Sequence, residues 1–83
     1  MTNKEIMFLK KCVSMWGVVG AFNDWENNSL QKLIDLARSV IRSQLNGELI
    51  DGLSLEDIKT LIYIEGFCNY LVGYNIARQV YFK

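Results

Sequence analysis

The chain has no histidine, no proline and no net charge, and it carries only two cysteines. Each shortage excludes something. Without histidine, the commonest general base and the commonest metal ligand are missing. Without proline, nothing interrupts long helices from within. Nine basic residues are matched by nine acidic ones, so the clustered positive charge that releases counterions from nucleic acid is lacking. Cys12 and Cys68 are too few for a disulfide framework and form no CxxC pair. Both fall in helical apolar runs and are expected to be reduced core thiols in a reducing, cytoplasmic compartment. No cofactor and no metal is expected.

What the chain does have is apolar material. At 83 residues it is 51% hydrophobic and 12% aromatic, whereas a domain of this size buries only somewhat more than about 60% of the surface its unfolded chain exposes. The excess calls for an unusually full core, a self-associated surface or a partner. Disorder is not expected, because disordered chains combine low hydrophobicity with high net charge. Lys10 and Lys11 precede an apolar stretch from Cys12 to Phe22 that loosely mimics a signal peptide. It is too short for a membrane span, which needs about 20 residues, and is read as a core helix.

The fold class expected is all-α: one domain over 1–83, a compact three-helix bundle with a long C-terminal helix that self-associates. Helix 1 is placed at about 3–24, opening with the capping box Thr2 and Glu5. Ile6, Leu9, Val13, Trp16 and Gly20 form its main stripe, and beyond Ser14 it is apolar nearly all round. Helix 2 is placed at about 29–46, capped by Asn28 or Ser29. Its apolar period is Leu30, Leu33, Ile34, Ala37, Val40, Ile41 and Leu45, with Gln31, Asp35, Arg38 and Arg42 opposite, and Gly47 suits a left-handed stop. Helix 3 is placed at about 55–82, capped by Ser54 with Asp57 three residues on.

Helix 3 carries two heptad lines. The first is Leu55, Ile58, Ile62, Glu65, Asn69, Val72, Ile76 and Gln79, a coiled-coil-like seam expected to form core or oligomer axis. The second is Tyr63, Phe67, Tyr70, Tyr74, Ala77 and Tyr81, aromatic at every position but Ala77. If its aromatic side chains are half covered by a partner, they supply roughly 400–600 Å², a large part of the roughly 800 Å² per side of a standard interface. Tyrosine suits that role, because its ring favours burial while its hydroxyl wants water or a hydrogen bond. Tyr63, Phe67, Tyr70, Tyr74 and Tyr81 are therefore the candidate partner-binding residues.

Glu65 and Asn69 stand one turn apart within the apolar seam. A carboxylate there must find a partner: a Lys or Arg of another helix, or a ligand held in a polar pocket together with Arg78. Gly66, Gly73 and Ala77 suggest a close helix crossing.

No carboxylate pair, nucleophile–base pair or phosphate-cradling glycine loop is present in sequence, so no catalytic residue is assigned. The leading functional expectation is a non-catalytic, oligomeric protein–protein interaction module that acts by stoichiometric binding, as adaptor or inhibitor. An Asn-, Lys- and Ile-rich short chain would suit a phage or mobile-element product. Its partner is another protein, a further copy, or both. The alternative is a small-ligand binder, for example of nucleotides, around Glu65 and Asn69. A nucleic-acid module using Lys10, Lys11, Arg38 and Arg42 ranks third.

Overall fold

Thr2 and Glu5 close the expected capping box, with Thr2 N donating to Glu5 Oε1 at 2.8 Å and Glu5 N to Thr2 Oγ1 at 3.2 Å. Hydrogen bonds that Thr2 gives the Glu5 carboxyl, from its backbone first and its side chain second, hold that carboxyl below its ordinary range. From this cap the computed structural model, which describes residues 1–81, runs through α1 (Asn3–Met15), α2 (Asn27–Leu45) and α3 (Leu55–Tyr81). Residue 82, where the sequence pattern placed the end of the third helix, lies outside the described residues. The described part measures 45 × 25 × 20 Å, and the 27 residues of α3 account for its length at about 40 Å. No helix is long and apolar enough to cross a membrane among the described residues.

The first helix is much shorter than its apolar pattern implied. It stops at Met15, and Trp16 to Asp24 form successive turns closed by Val18 N to Met15 O, Ala21 N to Val18 O and Asn23 N to Gly20 O. Gly20 sits at φ +78°, where a residue with a Cβ is strained, and Gly17 offers the helix no packing contact. The turns bring Phe22 into the core, 2% exposed. Its ring lies 5.0 Å edge-on from Trp25 and 6.4 Å from Trp16, while Trp25 also meets Phe8 at 6.4 Å. The all-round apolarity beyond Ser14 therefore belongs to a loop folded back onto an aromatic cluster.

The second helix begins two residues earlier than expected, at Asn27. Glu26 takes the cap position without a side-chain hydrogen bond, and Asn27 Oδ1 instead accepts from Asn75 Nδ2 of α3 at 2.8 Å. Its buried face is Leu30, Leu33, Ile34, Ala37 and Val40, as the period implied, while Leu45 is exposed. Gly47 takes the left-handed stop at φ +77°. Ser54 and Asp57 then exchange capping bonds of 3.0 and 3.1 Å ahead of α3.

The third helix is rotated relative to either expected line. Ile58, Leu61, Ile64, Cys68 and Leu71 face the core, joined by Leu9 and Cys12 of α1, Phe22 and the α2 face. Of the first heptad line only Ile58 is buried, and Leu55, Ile62, Asn69, Ile76 and Gln79 are exposed. The cause is polarity. The line through Leu61 and Leu71 contains no polar side chain or glycine, whereas burying the first line would desolvate Glu65 and Asn69, and the second several tyrosine hydroxyls.

Cys12 and Cys68 are buried and unpaired. Burial pushes both thiols up to about 11 from an ordinary 9.0. At pH 8 this leaves about a hundredfold less thiolate to react. Alkylation of the folded chain by iodoacetamide should therefore be at least that much slower than in denaturant; equal rates would place both thiols in solvent. The sign for stability follows, since folding raises these pKa values above those of the unfolded chain. Stability is unaffected by the thiols below about pH 9 and falls as pH climbs towards about 11.

Candidate surface on the outer face of helix 3

Because α1 and α2 cover only the Leu61 side of α3, the opposite side meets solvent. Tyr63, Tyr70, Tyr74 and Tyr81 are each half exposed or more, as are Ile62, Ile76 and Val80. Tyr70 and Tyr74 stack on one another, with centroids 6.3 Å apart and planes at 19°. The Arg78 guanidinium lies 5.8 Å from the Tyr74 ring centroid. Phe67 differs from the tyrosines: it is half-buried at the boundary of the face, where its ring meets Trp16 edge-on at 5.7 Å. Through Phe67 the aromatic line continues into the Trp16 turn, whose Val18 and Val19 are exposed. Sequence reasoning missed this extension because it kept Trp16 to Phe22 helical. The signal available was Gly17 and Gly20 within four residues of each other.

The polar candidates are separated. Glu65 Oε1 accepts from Arg38 Nε of α2 at 2.7 Å, the inter-helix pairing that a carboxylate in the seam required. Arg38 is half exposed, so the pair contributes at most about 1 kcal/mol and chiefly fixes how α2 and α3 align. Asn69 lies on the outer face, exposed. Arg78 lines a different, open depression with Trp25, Glu26, Asn27, Asn75 and Gln79. Glu65, Asn69 and Arg78 thus do not converge on one enclosed pocket. No cluster of three or more His, Cys, Asp or Glu side chains with metal-binding geometry occurs among the described residues.

Between Ile62 and Tyr81 the outer arc of α3 holds Gly66, Asn69, Gly73 and Ala77 beside the apolar and tyrosine side chains, with the charge of Arg78 at its edge beside Tyr74. Gly66 and Gly73 are mid-helix, and a Cβ built on either meets nothing within 4 Å. The close crossing that these glycines suggested does not occur among the described residues. A surface of this kind, aromatic along one side and lined with small residues, is suited to bury against another protein surface.

No family model, no curated protein and no solved structure matches the chain.

Proposed function

We propose that this chain is a non-catalytic interaction protein that acts by stoichiometric binding through the outer face of α3. The observation that carries the reading is the exposure of Tyr63, Tyr70, Tyr74 and Tyr81 along one face of a folded domain, with Arg78 at its edge. A typical monomer keeps its contiguous apolar patches to about 300–600 Å², and the four tyrosines alone present roughly 400–600 Å², before Ile62, Ile76 and Val80 are added. The stacked Tyr70–Tyr74 pair lies midway along its aromatic line. Rigid aromatic side chains with hydroxyls at their tips are the residue type that dominates binding hot spots.

The test is a binding titration with the partner recovered by photo-crosslinking from residue 70. Replacing Tyr70 and Tyr74 together by alanine should weaken binding about thirtyfold or more, at an unchanged melting temperature, since neither side chain is buried. Undiminished binding by a folded double variant would remove this face from the recognition surface.

A further inference from the structure

We infer that the occupant of this face is a second copy of the chain, paired antiparallel along α3. The inference rests on the reading of this face as an interaction surface and names its partner. On the outer arc a second heptad seam runs through Ile62, Gly66, Asn69, Gly73, Ile76 and Val80, spaced alternately four and three residues apart. It shares Ile62, Asn69 and Ile76 with the first line visible in the sequence but takes Gly66, Gly73 and Val80 in place of Glu65, Val72 and Gln79, and each of its residues is exposed. Ile62, Ile76, Val80 and the flanking tyrosines together present roughly 800 Å² of surface, taking about 200 Å² for a whole side chain. Covering most of it approaches the roughly 800 Å² per partner of a standard interface. No charged side chain lies on the seam, so two copies can oppose it without like-charge repulsion or the cost of burying an unpaired charge.

The order of large and small residues selects the direction. In a parallel pair each position meets itself. Gly66 and Gly73 would then form hollow layers, while Ile62 and Ile76 form crowded ones. In an antiparallel pair centred near position 71, Ile62 meets Val80 of the second copy, Gly66 meets Ile76, and Asn69 meets Gly73. Each glycine then receives a larger side chain, and layer volumes even out. This also accounts for two glycines that each cost a helix interior about 1 kcal/mol relative to alanine and at which, among the described residues, an added Cβ meets open space. The same symmetry places Tyr63 and Tyr70 of both copies along one flank of the pair. The aromatic line is thereby doubled in width, with its hydroxyls still able to reach water.

The experiment uses the whole chain. Sedimentation equilibrium between about 1 and 200 µM should show a twofold mass at the upper end. Gly73→Leu should abolish that association while keeping or raising the melting temperature of the single chain, because the added side chain meets open space and improves helix propensity. For direction, the Ile62→Cys and Val80→Cys variants are oxidised separately and mixed. A disulfide-linked dimer should form chiefly in the mixture. A monomer throughout the concentration range overturns the inference, and so does a Gly73→Leu chain that still dimerises. Linkage of the Ile62→Cys variant to itself as efficiently as in the mixture overturns the antiparallel arrangement. Strict monomer behaviour leaves the interaction reading to stand or fall by the Tyr70 and Tyr74 titration, so the two failures are distinguishable.

Discussion

Replacing Phe22 by alanine should cost about 3–5 kcal/mol of folding stability, close to the whole margin of an 83-residue domain, for which about 4–12 kcal/mol is usual. Phe22 lies in a turn, where side chains are commonly dispensable, yet it is 2% exposed and is flanked by Trp16 and Trp25. Removing the ring leaves a cavity where the Trp16–Asp24 turns meet the core, and it detaches the cluster that holds those turns down. The chain's two tryptophans are its ring neighbours, so their emission reports on this region. Urea titration should show the midpoint falling sharply, and at zero urea the fluorescence should already be shifted to the red. Phe22→Leu, which keeps most of the volume, should recover much of the loss. If Phe22→Ala shifts the midpoint by less than the equivalent of about 1 kcal/mol, the loop does not pack as described.

A second large effect separates two isoleucines only two positions apart. Ile64 is fully buried and Ile62 is half exposed. Ile64→Ala should cost about 2–5 kcal/mol through lost burial and the cavity left behind. Ile62→Ala should cost under about 1 kcal/mol, provided the titration is run dilute enough to keep chains apart. Comparable losses at both sites, or a larger one at Ile62, would mean that α3 is turned the other way about its axis. The measurement therefore tests the rotation on which both functional proposals depend.

That rotation is also where the sequence was least informative. Helix number, the caps at Thr2 and Ser54, the stop at Gly47 and the core face of α2 could all be read directly, because each rests on local chemistry or on a clean contrast between apolar and polar sides. Helix 3 offers no such contrast: apolar residues occupy three lines around it, and only the cost of desolvating Glu65, Asn69 and the tyrosine hydroxyls decides among them. The Arg38–Glu65 pairing was anticipated in kind, as a basic partner from another helix, but the residue was not. The end of α1 was hidden for a different reason. Gly17 and Gly20 are tolerated within helices, and the pull of Phe22 and Trp25 onto Phe8 and the core is a tertiary effect that helical periodicity does not encode. The pattern set the aromatic line apart as a candidate partner surface without deciding whether helices 1 and 2 cover it as core; its tyrosines are exposed and Phe67 is half-buried.

The way α1 docks has a consequence for the order in which the molecule folds. Leu9 and Cys12 close the core against α3 as well as α2, so α1 completes its packing only once both other helices are in place. Until then the first helix has no completed surface on which to bury its apolar stripe, and a 13-residue helix is marginal by itself in water. The α2–α3 hairpin, formed from neighbouring segments with a short connection, can assemble first. Folding then proceeds outward from that hairpin, with α1 docking last.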